Sequence, residues 1–267
     1  MSIGSNAVKV TAKTALKGKW LNALICSSVL IFCMIVNSYL SSLISVFAGT
    51  AFSEFFYVLL TVFVFFPLFL GVLKFFWRMI FGCDDRPVSI FYYYSAKELY
   101  IKAIKFAFAL IIKLLPFAVI IFLPAFFVWL LSQSYFFEFF DIAIPLWSRN
   151  LQYAILFTRT LSTVILIFYA LRYYVSPVLF VVDEEIDVWE ALHMSSVISK
   201  RSTLDFIYLF FSFSGWILIS FFALPLVFTV PYIITSYVVH IRFSITEYNN
   251  HIEKSIQDKY PSFTVGV

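Results

Sequence analysis

The residues best able to do chemistry in this chain are three histidines: His193, His240 and His251. None of them falls in a metal-ligand spacing such as H-E-x-x-H, and no phosphate-binding G-x-x-x-x-G-K-[ST] loop is present. His193 lies close to Ser195, but no G-x-S-x-G turn accompanies the two. We therefore expect all three histidines to be surface or interfacial. The sequence predicts no catalytic residue, no metal site and no cofactor.

An acidic run, DEEIDVWE, occupies residues 183–190 and precedes a stretch that we expect to be helical. Carboxylates ahead of a helix accept bonds from its free N–H groups and favour the positive end of its dipole. A divalent-cation site is the alternative, but a calcium loop needs a glycine at its turn, and this run has none. The run therefore predicts helix capping.

The chain has three cysteines, Cys26, Cys33 and Cys83. This odd number, without paired spacing, argues against a disulfide framework or a zinc site. Cys26 and Cys33 are seven residues apart in one apolar segment, so they share a helix face. We expect the cysteines to be small packing residues.

Three ionisable residues within or beside apolar segments form the candidate polar site: Arg159, Lys113 and Glu54. Such residues are functional hypotheses by default, although long side chains near a helix end can also snorkel to the headgroups. We expect Arg159 to point inward, toward Glu54 or a polar pocket. Glu138 and Asp141 lie on the same side, but the entrance of a span is more fixed than a loop.

Six long apolar segments must position these residues. Hydrophobic residues make up 62% of the chain and charged residues 13%, against about 25% charged residues in soluble domains. Each segment has roughly the ~20 residues that cross a ~30 Å hydrocarbon core. The sequence predicts an all-α, polytopic membrane helix bundle in residues 1–248, followed by a short cytoplasmic tail, 249–267. The predicted spans are residues 20–48, 55–81, 106–131, 153–182, 204–222 and 226–245.

The basic residues alternate between the connections. Lys and Arg are frequent before the first span, after the second, fourth and sixth, and scarce in the other connections. By the positive-inside rule, both termini are predicted to lie in the cytoplasm, with the chain in the plasma membrane. Lys74 should snorkel from the cytoplasmic end of the second span. Because the basic residues flank the spans, the net charge of +4 does not indicate a nucleic-acid partner.

Prolines suggest an internal repeat. The even spans carry Pro67, Pro177 and Pro231, and each odd span follows a basic, amphipathic stretch that we expect to form a short interfacial helix on the cytoplasmic side. This pattern predicts three degenerate units of interfacial helix, span and proline-bearing span. The alternative is that proline is simply tolerated in membrane helices.

Short motifs in order along the chain resemble those of one family. They are Ala12-Lys13, Leu16-Lys17-Gly18, Trp20, Pro67-Leu68 with Gly71, Ala191-Leu192 with Ser195, Phe213-Ser214-Gly215-Trp216 and Pro231-Tyr232. In these motifs the chain resembles a family of bacterial membrane proteins, domain of unknown function nine-seven-five. It departs from the family pattern at Lys200-Arg201-Ser202-Thr203 and at Phe243-Ser244.

The resemblance implies a six-span helical domain. It also implies similarity to the membrane region attached to some glycerophosphodiester phosphodiesterases. The chemistry of those proteins belongs to a separate soluble domain, which we do not expect in this chain. The family supplies no catalytic residues.

We expect a non-enzymatic integral membrane protein, an accessory or scaffold subunit that binds lipid or another membrane protein. The alternative is a small permease or exporter for an anionic or lipid-like solute, with Lys113 and Arg159 lining its path. An intramembrane enzyme comes third. A continuous polar cavity would favour transport, whereas a dry core with an open lateral groove would favour lipid or partner binding.

Overall fold

A computed structural model describes residues 4–83, 86–131, 151–220 and 224–259. Within these ranges the chain is helical and has no strand, which confirms the predicted all-α fold. The helices are α1 (Ser5–Leu16), α2 (Trp20–Ala48), α3 (Thr50–Leu60), α4 (Phe66–Ile80), α5 (Lys97–Leu131), α6 (Leu151–Ala170), α7 (Ser176–Val182), α8 (Val188–Phe211), α9 (Ser214–Ile219) and α10 (Leu224–Lys259). A π-helical turn, Thr61–Phe65, joins α3 to α4, and a 3-10 helix, Pro87–Tyr94, precedes α5.

The chain divides into two compact units. The core unit comprises Met1–Phe108 and Tyr173–Val267, and the hairpin unit comprises Ala109–Arg172, which includes most of α5 and all of α6. Within the hairpin unit, the Ser162 hydroxyl donates to the Ile121 carbonyl oxygen at 2.8 Å. The rings of Phe117 and Tyr169 stack with their centres 3.8 Å apart. These two contacts join the helices of the hairpin.

Helix α4 is the centre of the core unit. It contacts α1, α2, α7, α10 and the 3-10 helix, and ten of its 15 residues are buried. Gly71 makes the closest approach, because a Cβ at this position would lie 1.8 Å from the carbonyl oxygen of Ile90. Only glycine, which has no side chain, lets the 3-10 helix lie directly on the backbone of α4.

Helix α1 packs against other helices of the core unit through one apolar face. Val8, Ala12 and Leu16 recur every four residues, so they form one apolar face, and all three are fully buried. This helix contacts α4, α8 and α10. Gly18, with a φ of 81°, then turns the chain into α2. Helix α1 thus packs against the bundle through one face, and its interfacial position stays a prediction.

Four helical stretches are long and apolar enough to cross a membrane, and they indicate a membrane protein. They are Trp20–Ala48, Thr50–Ile80, Lys97–Leu131 and Gln152–Val182. Each contains or largely overlaps one of the first four predicted spans. Their length exceeds the ~20 residues needed for one crossing, so each also has turns to spare outside the hydrocarbon region.

The fifth and sixth predicted spans are not among these four stretches of the described residues. Helix α8 starts well before the fifth span and ends at Phe211, and residues 221–222 lie outside the described part. The rings of Trp20 and Phe228 lie 6.4 Å apart, so the start of α10 lies near the start of α2. The six-span placement stays a prediction. Hydropathy measures apolar length, but it does not reveal that this region packs against the start of the chain.

The three prolines occupy two kinds of position. Pro67 and Pro177 are the second residues of α4 and α7, each just after an interrupted helical turn. Pro231 lies inside the continuous helix α10, which remains helical to Lys259. The internal repeat stays a prediction.

Candidate functional site

Lys74 does not snorkel as predicted. It is 9% exposed, and its ammonium group forms an ion pair with Glu184 while lying 3.1 Å from the centre of the Tyr92 ring. The Tyr92 hydroxyl donates to the same carboxylate at 3.0 Å. An acceptor supplied by the chain, together with an aromatic face, replaces the headgroups that the prediction required.

The acidic run serves two structural purposes. Asp187 caps α8, because its carboxylate accepts the Trp189 N–H at 3.1 Å, and this confirms the capping prediction. Glu184 instead holds Lys74, and its main-chain oxygen accepts a bond from Lys102. The hydrogen bond from Lys74, reinforced by that from Tyr92, lowers the pKa of Glu184 below its usual value.

A buried polar cluster joins the turn before α7 to α8 and α10. The Tyr174 hydroxyl lies 2.7 Å from the Ser202 hydroxyl and 3.2 Å from Nε2 of His240. His240 is fully buried, so the prediction of a surface histidine is wrong for it, whereas His193 and His251 are exposed as predicted. Because Tyr174, Ser202 and His240 are all buried, the cluster acts as a cross-link between helices.

The first of two apolar cavities lies between α4, α8 and α10. Its volume is about 210 Å³, and it is partly open to its surroundings. Its walls include Phe69, Leu73, Phe206, Phe210, Phe213 and Ile233. The one side-chain hydroxyl on its wall belongs to Tyr237, and that group donates to the Tyr174 carbonyl oxygen at 2.5 Å. The cavity therefore offers almost exclusively hydrocarbon and ring surface.

The second cavity lies between α2, α3, the π-helical turn and α4, and its volume is about 290 Å³. Its walls include Leu30, Met34, Tyr57, Phe65, Phe66 and Phe69. Two polar residues also line it: the Asn37 amide donates to the Thr61 hydroxyl oxygen at 3.1 Å. Asn37 is 2% exposed, and its Oδ1 atom has no hydrogen-bond partner among the described residues.

The three residues of the predicted polar site belong to two different units. Arg159 and Lys113 belong to the hairpin unit, and both are exposed. The inward orientation expected for Arg159 stays a prediction, and snorkelling to the headgroups stays its alternative. Glu54 is exposed in the core unit, so its pairing with Arg159 stays a prediction. The alternative partners Glu138 and Asp141 lie outside the described residues.

Asn37 is the residue that the sequence analysis missed. An amide near the middle of an apolar segment was a usable indication, because polar side chains in membrane helices usually bond to a neighbouring helix. The cavities themselves gave no such indication, since their walls consist of the residue types that also face lipid.

Comparison with known proteins identifies the family of the chain. No curated protein matches it, and no solved structure matches it. The similarity to the membrane region of some phosphodiesterases stays a prediction. The model of one family, described as protein of unknown function (DUF975), matches residues 1–248, so the chain belongs to this family.

Proposed function

We propose that this chain is a non-enzymatic integral membrane protein, an accessory or scaffold subunit that binds a lipid or a membrane partner. The observation that carries the proposal is the pair of partly open cavities along α4, whose walls are almost entirely apolar. A site with such walls selects hydrocarbon, because an unpaired polar group buried there would cost several kcal/mol, roughly 2–7.

The polar groups of the core unit support the same proposal. Lys74 is neutralised by Glu184, and the Tyr174 hydroxyl bonds to the Ser202 hydroxyl and to the His240 ring. A permease for an anionic solute would need cations that line a continuous polar path. The cations expected to do so, Lys113 and Arg159, are exposed on the hairpin unit.

Association can be tested on the full chain extracted from its native membrane in mild detergent. Native mass spectrometry should detect a stoichiometric lipid or protein partner that survives gel filtration. No turnover is expected when the purified chain is incubated with phospholipids or glycerophosphodiesters. A chain that carries neither lipid nor partner, but moves an anionic solute into liposomes, would contradict the proposal.

We also propose that the chain lies in the plasma membrane with both termini in the cytoplasm. Four crossings, like six, return the chain to its starting side, and the basic residues before α2 support a cytoplasmic N-terminus. In a chain with its three cysteines replaced, an introduced cysteine at Thr50 should react with an impermeant reagent added outside. A cysteine at Lys17, just before α2, should not react, because the N-terminus is proposed to lie in the cytoplasm.

A further inference from the structure

We propose that the two cavities are halves of one acyl-chain site divided by Phe69, and that this site holds a chain of an anionic lipid whose headgroup pairs with Lys9. This inference rests on the proposed function and names its ligand.

The first argument is continuity. Phe69 lines both cavities, so its ring is the wall between them. Thr61, Phe65, Phe69 and Leu73 recur every four residues and therefore follow one face of the helix. From Thr61 to Leu73 the helix rises ~18 Å. This length matches the ~15 Å that the acyl chains of one leaflet occupy in a ~30 Å core.

The second argument is size. Pockets that bind small molecules have volumes of roughly 300–1,000 Å³. Neither cavity reaches this range alone, with about 210 Å³ and about 290 Å³, but the joined site does. Phe69 is only half-buried, so its ring has room to change rotamer when a chain enters.

The third argument is the chemistry of the walls. Phenyl and aliphatic side chains dominate both cavities, and the few residues with polar groups are Asn37, Tyr57, Thr61 and Tyr237. The Thr61 and Tyr237 hydroxyls donate to main-chain oxygens, so they are already satisfied. A ligand that enters must therefore be apolar along most of its length.

The fourth argument is charge. The ammonium group of Lys9 lies 4.8 Å from the centre of the Phe213 ring, which lines the first cavity. Lys13 lies 5.9 Å from the ring of Tyr232, and α1 contains no acidic residue. Partial burial, together with Lys13, lowers the pKa of Lys9, so an anion beside it would favour its charged form. A carboxylate or a phosphate meets this requirement.

The test uses the delipidated full chain in detergent and a photoreactive palmitate analogue. Cross-links should map to α2, α4, α8 and α10. Met34→Trp fills the second cavity. Labelling should fall about tenfold, because the acyl chain of palmitate can then bury fewer methylene groups. Ile35→Trp is the matched control, since Ile35 is equally exposed on α2 but does not line the cavity, and labelling should not change.

Two further variants test the division and the charge. Phe69→Ala should raise palmitate labelling, because it removes the wall between the cavities. Lys9→Gln should reduce labelling several-fold, whereas Lys17→Gln, a charge change at the other end of α1, should not. Competition with phosphatidylglycerol or with palmitate then identifies the source of the anionic headgroup. Competition that is equally strong with phosphatidylcholine would overturn the role of Lys9.

The outcomes separate this inference from the proposed function. Palmitate labelling that survives Met34→Trp and also Ile233→Trp, which fills the other cavity, would place the lipid elsewhere and overturn the inference alone. A native chain that retains neither lipid nor partner would overturn both. If Met34→Trp fails to fold, Ile233→Trp still decides the outcome, because the joined site requires both halves.

Discussion

Helices α4 and α6 are both strongly apolar, yet they differ in how much of their surface the protein covers. Ten of the 15 residues of α4 are buried, whereas Ser162 is the one buried residue among the described side chains of α6. The difference shows that apolar sequence in a membrane protein has two uses. In α4 it packs against protein, and in α6 it is left exposed, which is the arrangement expected of a surface that lipid covers.

The two helices use different residues for these two purposes. Helix α4 carries Gly71 where the 3-10 helix lies on its backbone, and it buries the charged Lys74 beside a carboxylate. Helix α6 presents Tyr153, Leu156 and Phe157 outward. Lipid tails are as apolar as these side chains, so exposing them has no cost in a bilayer. The stability of the core unit should therefore depend mainly on contacts within the protein. The stability of the hairpin unit should depend mainly on the surrounding lipid or detergent.

The largest effect is expected at Gly71. Gly71→Ala places a methyl group 1.8 Å from the Ile90 carbonyl oxygen, so either the 3-10 helix or α4 must shift. We expect a loss of at least ~3 kcal/mol, the upper end of the range for overpacked cores. Thermal unfolding of the purified chain in detergent, followed by scanning fluorimetry, measures this loss.

Gly215→Ala is the matched control for Gly71. A Cβ at Gly215 meets no atom within 4 Å, and alanine is the better helix former, so stability should stay the same or rise slightly. Equal losses for the two variants would mean that α4 is not packed more tightly at Gly71 than α9 is at Gly215.

The next effect is expected at the ion pair. Glu184→Gln leaves the buried Lys74 without its carboxylate, and the loss should be roughly 1–2 kcal/mol. The value lies below that for a fully buried pair because the Glu184 side chain is 55% exposed and partly screened by water. Glu185→Gln, one residue further along, is the control and should not change the unfolding temperature.

The same pair predicts a pH dependence. Folding lowers the pKa of Glu184 below its ordinary value of 4.5, so the stabilisation is complete above that pH. It is lost as the pH falls through the lowered pKa of the folded state. The difference in unfolding temperature between wild type and Glu184→Gln should therefore be constant near neutral pH and shrink in acid. A difference that grows in acid would have the wrong sign.

The smallest effect is expected in the hairpin unit. Ser162→Ala removes the hydrogen bond to the Ile121 carbonyl oxygen, and bonds of this kind contribute on average about 0.6 kcal/mol within membranes. Thr160→Ala, whose hydroxyl bonds only within its own helix to Leu156, is the control. The effect of Ser162→Ala should change with the thickness of the detergent or lipid belt more than that of Gly71→Ala. Identical responses would remove the distinction between the two units.

The sequence predicted the helical class, the first four apolar helices and the cap at Asp187, because each of these depends on local composition. It did not predict the burial of α1 or His240, since these depend on which distant helices they meet. Apolar length alone predicted a membrane span in α10 just as it did in α2. It did not reveal that α10 packs against the N-terminal helix. Charge alternation likewise indicated that Lys74 is a headgroup anchor. The sequence did not reveal its true partner, because Glu184 lies 110 residues away in the chain.

Of the candidate site, the charged residues were predictable in position but not in environment. Lys113 and Arg159 lie in apolar helices of the hairpin unit as expected, and both side chains are exposed. The cavities arise where Phe69 and its neighbours on α4 fail to fill the space toward α2 and α8. Such a gap depends on the spacing of backbones, and no single residue type marks it.

The π-helical turn between α3 and α4 has a consequence for evolution and design. One residue more than an α-helical turn holds is accommodated within Thr61–Phe65. Deleting one residue there would restore an uninterrupted α-helix and rotate everything beyond it by ~100° about its axis. Gly71 would then no longer face the 3-10 helix, and Phe69 would no longer lie between the two cavities. The number of residues in this short stretch thus determines which face of α4 meets the 3-10 helix. Deleting a single residue there should therefore be more damaging than most substitutions.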